Sequence, residues 1–447
     1  TNIEKKRGSF MEILACILGF LVVIILVYRD WSVYLSTFAG LCVVVLLSGS
    51  DFMTAMTETY TKGVFTAINS FLFMLMFGCV QSSLFRESGA AYSIASTIMH
   101  KLIREDTSNT AKNIIALSII MVIGTLLSMG GIIAGVVIVL MYPIALAIFE
   151  HCDIPKRFIL GVLGASAYTF TLTLPGSPEV TNVAAMSVLK TSSTVAAIPG
   201  IVGAVVEVVV ILLVMNALIN HARHNGDHFQ RHPEDPYMDE TSEKPPFFLS
   251  LIPLFVLFVL FNFFNLHIVL CLIFSCLLSI VLFWKWLKPK DVKHIVCQAT
   301  VDSIPMTLNV GAICGFAAII TNSDAFQTIL DTLTSMEASP ILICAVVVAI
   351  MCMLTGGSST GQLIALPIIA PRLMEMGLSV DIIHRVSVFA ATTLDSMPYS
   401  GSILMLLPMC HMKLKEIYPA MFITTVLATT CGTIAVCLMC FFFPGLT

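Results

Sequence analysis

The chain holds 447 residues, of which 57% are hydrophobic and 11% charged, with a formal charge of −4, against roughly 25% charged residues in soluble domains. No basic run faces a phosphate backbone, which argues against nucleic acid as a partner. Repeated apolar stretches of roughly 20 residues read as a polytopic membrane protein, with the lipid bilayer as its solvent. Most of the 14 cysteines, such as Cys16, Cys271, Cys344 and Cys440, lie inside those stretches. They read as small hydrophobes and not as a disulfide framework.

The first half predicts helices near 10–28, 31–49 and 64–85, then an amphipathic arm near 90–104. The run from Phe10 to Tyr28 is longer than a signal-peptide core and lacks a small-residue cleavage site, so it reads as a retained helix. An apolar pair near 111–149 follows, folded at Ser128-Met129-Gly130-Gly131. Next come a helix near 158–188, broken at Leu174-Pro175-Gly176-Ser177-Pro178-Glu179, and a helix near 196–219. The segment 221–246 is a polar linker. Its His221, His224, His228 and His232 could suggest a metal, but they read as part of a solvated connection.

The second half repeats the order. Helices near 247–265, 267–286 and 299–321 precede an arm near 324–335 and a folded pair near 339–374. The tip of that pair is Thr355-Gly356-Gly357-Ser358-Ser359-Thr360-Gly361. A helix near 383–409 is broken at Asp395-Ser396-Met397-Pro398-Tyr399-Ser400-Gly401, and the last helix runs near 417–443. If each folded pair enters and leaves on one side, each half crosses five times. An odd number of crossings makes the halves inverted repeats.

Lys and Arg set the orientation. With the first hairpin entering from the cytoplasm, inner segments hold 16 basic residues and outer segments 7, counting Arg385 among the outer ones. The Lys5-Lys6-Arg7 cluster argues the other way.

Unwound backbone inside hydrocarbon is tolerable only where protein or a watery cavity satisfies it. Paired interruptions at matching places in two halves point to a transporter's binding site. Helix N-termini at such breaks offer free N–H groups and a positive dipole end to an anion. The glycines at 130, 131, 356, 357 and 361 permit close approach. Ser128, Thr173, Ser177, Thr355, Ser358, Ser359, Thr360, Ser396 and Ser400 add hydroxyl donors, and Pro175, Gly176, Pro178 and Tyr399 shape the breaks. Close helix packing is the competing reading for any one such loop.

Glu179 and Asp395 lie inside the breaks, and an ionisable residue within a membrane segment is a functional hypothesis by default. With Asn182, either acid could carry a proton or ligate sodium. A helix cap is the plain alternative. Glu207 is a further candidate, and Asp302 less so because it lies near an interface. A sodium/proton antiporter using Glu179 and Asp395 stays open. No Ser/His/Asp set or cofactor motif lies at matching depth, so neither an enzyme nor a cofactor is expected.

The order of hairpin, Arg-bearing turn and broken helix resembles the gluconate permease family of the ion transporter superfamily. The likeness is firmest from Leu126 to Ser192 and from Leu354 to Leu407. The family's Gly-Ser-rich tip corresponds to Gly357-Ser358-Ser359-Thr360, and its Asn-Asp-Ser to Leu394-Asp395-Ser396. Where the family has Pro-Pro-His-Pro-Gly-Pro, this chain has Thr173-Leu174-Pro175-Gly176-Ser177-Pro178. The resemblance implies a homodimer in the inner (plasma) membrane, each protomer pairing a fixed scaffold (1–104 and 247–337) with a moving transport domain (105–220 and 338–447). It implies proton-coupled symport of a small organic anion of the hydroxy-acid or sugar-acid type by an elevator movement.

Overall fold

The computed structural model describes residues 12, 14–23, 25–26, 29, 31–102, 108–235, 243–323, 339–398, 400, 403 and 410–446. The arm near 324–335, the Lys5-Lys6-Arg7 cluster, Tyr399, Gly401 and most of the second half of the last broken helix lie outside these residues. Among the described residues all regular structure is helical. The early helices are α1 (Leu14–Val23), α2 (Val33–Ser48), α3 (Phe52–Ser88) and α4 (Ala90–Leu102). The first hairpin is α5 (Asn109–Met129) with α6 (Ala134–His151). The first broken helix is α7 (Ile159–Ala167) with α8 (Val180–Leu189), and α9 (Ala197–His224) closes the half. The second half has α10 (Phe247–Asn262), α11 (Ile268–Leu282) and α12 (Val292–Thr321). After them come the second hairpin, α13 (Pro340–Thr355) with α14 (Ser358–Glu375), then α15 (Val380–Ala391) and α16 (Leu414–Phe442). Six of the described helices, α3, α5, α6, α9, α12 and α16, are long and apolar enough to cross a membrane.

Two helices start earlier than the hydropathy pattern places them. The third begins near Phe52, not 64, because Asp51 caps it, accepting from the Thr54 N–H at 2.7 Å. Its first turns keep Thr57, Glu58 and Lys62 exposed while Ala55 is buried. Likewise α12 begins at Val292, not 299: Asp291 accepts from the His294 N–H, and Ile295, Ala299, Ser303 and Thr307 form a buried stripe. Lys293, His294, Gln298 and Asp302 project away from it, and that polar face hides the helix from a hydropathy reading.

Packing pairs equivalent helices of the two halves. The third helices, α3 and α12, run along each other, and Gly63 and Gly315 bring their backbones into close approach. The last helices, α9 and α16, do the same. A small core of Phe20, Leu41, Val44 and Phe316 joins α1, α2 and α12. The main core spans both hairpins, both broken helices, α9 and α16. The α8 helix of the first half lies against α14 of the second hairpin, which brings the first break to the second tip.

Candidate functional site

The first break is a stretch of backbone whose polar groups are all the more exposed to penalty because it is buried. The chain leaves α7 at Tyr168, makes one helical turn over Phe170–Thr173, and extends through Leu174 before re-entering α8. Gly176 sits at φ +83°, in the left-handed region. Its N–H donates to the Ser193 carbonyl at 3.0 Å, and its carbonyl accepts from Asn262 Nδ2 at 3.0 Å. Ser177 Oγ donates to the Thr171 carbonyl at 2.6 Å. Asn182 Nδ2 donates to the Leu174 and Ser177 carbonyls at 3.1 and 3.2 Å.

A cation from the second half rivets this loop. Arg385, fully buried on α15, donates to the carbonyls of Thr173 (3.0 Å), Ser193 (2.9 Å) and Val195 (2.8 and 3.1 Å). It therefore leaves the outer, solvent-facing count in which the charge pattern placed it. The adjacent His384 ties Asn182 Oδ1 (Nε2, 3.1 Å) to Thr191 Oγ1 (Nδ1, 2.6 Å). Since Asn182 donates through its amide nitrogen, its Oδ1 must accept, which assigns the proton to His384 Nε2. Asn182 thus braces the loop through all of its side-chain bonds.

Around that brace the polar groups converge. Ser358, at the start of α14, lies 3.0 Å from Thr181 Oγ1 in the first turn of α8, and its hydroxyl also faces the Asp395 carboxylate. Ser396 Oγ donates to Asp395 Oδ1 at 2.9 Å, and the Ser396 carbonyl accepts from Tyr418 at 3.3 Å. Ser400 Oγ donates to the Gly356 carbonyl at 3.2 Å, closing the second break onto its hairpin tip. At the first tip, Ser128 Oγ points at the Glu179 carboxyl but falls outside hydrogen-bond geometry. A void of about 20 Å³ lies beside them, bordered also by Gly131, Pro178 and Leu272. Tyr168 lies near both acids.

Several atoms here are buried without a hydrogen-bond partner in the protein: Ser128 Oγ, Thr171 Oγ1, Glu179 Oε1 and both side-chain atoms of Gln362. Buried polar atoms are nearly always paired, so a concentration of orphans calls for a ligand or a role. Gln362 lies one helical turn beyond Ser358 on the same face of α14.

The expected residues divide into groups. Ser128 and Glu179 come together, and so do Ser358, Asp395 and Ser396. Thr173, Pro175, Gly176, Ser177, Pro178 and Asn182 form the buried loop, most of whose side chains hold its own backbone. Thr360 is buried near Cys314 of α12, and Ser359 is half-buried. Thr355 Oγ1 bonds back to the Met351 carbonyl at 2.9 Å. Two readings need correction. Gly130 and Gly131 pack on Leu254, Leu257 and Leu272 of α10 and α11, so their lack of a side chain serves helix contact there. Gly357, at φ −159°, adopts extended backbone open to any residue and has no close neighbour to accommodate. Glu179 stands at the N-cap position of α8, with its carboxyl beside the Val180 N–H but outside strict capping geometry, so the plain alternative stays open. Sequence reasoning missed Thr171, Thr181, Gln362, His384 and the rivet role of Arg385. Gln362 alone carried a signal, as an amide in an otherwise apolar run.

Three comparisons place this architecture among known proteins. A family model described as GntP family permease matches residues 11–267, more than half of the chain. An uncharacterized transporter, YxjC of Bacillus subtilis (strain 168), is 23% identical over 468 residues, covering 94% of this chain and 97% of its own. The crystal structure of the YdaH transporter of Alcanivorax borkumensis superposes with a TM-score of 0.55 at 13% identity, covering 98% of this chain and 99% of that one. The last match speaks for the fold alone.

Proposed function

The chain belongs to the GntP permease family, and from that premise we propose that it is a secondary active symporter that carries a small organic carboxylate together with a proton. The observation that carries the reading is the set of orphaned polar atoms, two buried acids and paired hydroxyls where both breaks meet the hairpins. Two helix N-termini, at Val180 and Ser358, open onto this region and supply the N–H groups and dipole ends that an anion exchanges for water. The buried guanidinium that packs on the first break, Arg385, is spent on carbonyls, so dipoles and hydroxyls do the recognising. That favours a small monocarboxylate such as a hydroxy acid.

Coupling follows from like charge. A substrate carboxylate entering beside Glu179 and Asp395 is repelled while those groups are ionised, and is accepted when a proton arrives with it. By linkage the proton is then bound more tightly when substrate is present. The 20 Å³ void beside Ser128 holds about one water and no organic acid. Substrate therefore enters by a movement of the hairpins.

The pairing of α3 with α12 and of α9 with α16 supports two inverted repeats. In this reading α1–α4 and α10–α12 (1–104 and 247–337) form a scaffold that also carries a dimer contact. The hairpins, broken helices, α9 and α16 (105–220 and 338–447) form the unit that moves, with 221–246 as a cytoplasmic linker, in a plasma membrane.

The test is uptake of labelled hydroxy and sugar acids into proteoliposomes under an imposed proton gradient. Accumulation should collapse with a protonophore, and Asp395→Asn should retain exchange but not accumulate. Sodium/proton exchange without movement of any organic anion would replace this reading with the antiporter.

A further inference from the structure

Outside the membrane core, the linker between the halves docks on the turn that precedes α16. Lys156 donates to both Asp235 carboxylate oxygens at 2.7 Å, Tyr142 adds a bond at 3.1 Å, and the His232 N–H donates to Asp235 Oδ2 at 2.8 Å. These contacts hold the peptide 232–235 in place. Its side chains then meet His411, whose backbone sits at φ +52°, a conformation sparsely adopted except by Gly, Asn, Asp and His. The His232 and His411 rings stack 4.6 Å apart at 12°, and Glu234 Oε2 lies 3.4 Å from His411 Nδ1. One ligand atom from each of His232, Glu234 and His411 lies within 4.8 Å of the others.

We propose that His232, Glu234 and His411 form a binding site for a divalent transition-metal ion of the Zn²⁺ class, which bolts the inter-repeat linker to the turn before the last helix. Two donors on a tetrahedral ion with bonds of about 2.0–2.1 Å stand roughly 3.3 Å apart, close to the spacing of Glu234 and His411. Bringing in His232 takes a closure of about 1.5 Å, within reach of a side-chain torsion with the backbone held. Two imidazoles and one carboxylate suit a borderline ion, whereas Mg²⁺ and Ca²⁺ demand oxygen. One coordination position remains for water, on the side of a cleft of about 440 Å³ that His232 and His411 border with Lys156, Arg157 and Met412.

The His232 Nδ1 accepts weakly from the Glu234 N–H at 3.3 Å, so coordination through Nε2 exchanges that bond for a proton on Nδ1. A further histidine of the linker, His228, is engaged elsewhere, 2.7 Å from Asp153. It serves as the internal control. The site lies apart from the two breaks and does not depend on the identity of the transported anion.

The experiment uses the full-length protein without an affinity tag, in nanodiscs. Zn²⁺ and Co²⁺ are titrated by calorimetry, with Mg²⁺ as control. One Zn²⁺ per chain is expected, with affinity falling at least tenfold in both His411→Ala and His232→Ala and unchanged in His228→Ala. Bound Co²⁺ should show the intense visible bands of a four-coordinate ion, absent in His411→Ala. A His411→Asn variant, whose residue type tolerates φ +52°, should lose the site yet unfold without metal like the parent, which separates loss of the site from loss of the fold. No saturable binding, or binding indifferent to either His411 or His232, overturns the proposal.

Discussion

Alanine at each of the four hairpin-tip glycines separates what each glycine does. At Gly130 the backbone is ordinary (φ −84°), but a Cβ would fall on the Leu254 side chain, an overpacking of about 1–3 kcal/mol. Gly131 combines φ +81°, costing about 1–2 kcal/mol for an L-residue, with contacts to Leu257 and Leu272, so the total is about 2–5 kcal/mol. Gly356 has φ +63° with its nearest neighbour, the Ser400 Cα, at 4.0 Å, leaving the conformational cost of about 1–2 kcal/mol alone. Gly357 is extended and open, and its alanine variant should stay within about 0.5 kcal/mol of the parent. Thermal unfolding of the purified proteins in one detergent should rank 131 as most damaged, then 130, 356 and 357. Uptake should follow the same order at the first tip. A Gly357→Ala protein as destabilised as Gly131→Ala would refute the reasoning, because the two sites differ in both φ and neighbours.

Arg385→Met removes four hydrogen bonds from three carbonyls; Ser193 keeps its bond from the Gly176 N–H, so the Thr173 and Val195 carbonyls are left unpaired, and at about 1–3 kcal/mol for each stability should fall by roughly 2–6 kcal/mol, with Arg385→Lys intermediate because an ammonium cannot span all three. Unfolding of Arg385→Met within a degree of the parent would remove the rivet. Lys156→Met leaves the buried Asp235 without its ion-pair partner and should loosen the linker by about 3 kcal/mol, read as faster amide exchange over residues 227–235. Burial acts to raise the Asp235 carboxyl, but the Lys156 bond and the His232 N–H outweigh it and hold the group below its ordinary 3.8. A depressed carboxylate stabilises above its unfolded value and fails only as pH falls through the folded one. Acidification from pH 7 to pH 5 should therefore leave the protection of the His232 amide, its exchange relative to the intrinsic rate at each pH, unchanged, and a loss of protection within that window would contradict the pairing.

The hairpins and breaks were legible because Gly and Pro punctuate an apolar background, and no packing information is needed to see them. Glu179 and Asp395 stood out for the same reason, as charges where charges are costly. The true starts of α3 and α12 were hidden, since Glu58, Lys62, His294 and Gln298 lower the local hydropathy while occupying exposed faces of continuous helices. The role of Arg385 could not be read at all: its partners are carbonyls, which every residue carries, so no companion acid marks the site. The tip glycines of the first hairpin illustrate the remaining gap. Their pattern matches that of the second tip, yet Leu254, Leu257 and Leu272, more than a hundred residues away, decide what they do.

Because Arg385 is bonded to carbonyls, and faces no carboxylate within ion-pair distance among the described residues, its positive charge is spread but not cancelled. A body that carries this group across a membrane performs electrical work, about 2.3 kcal/mol per elementary charge for each 100 mV traversed. An anion travelling with it offsets that work. In the proposed mechanism, loaded and unloaded passages would then respond differently to voltage, and the resting potential would act on turnover alongside the proton gradient.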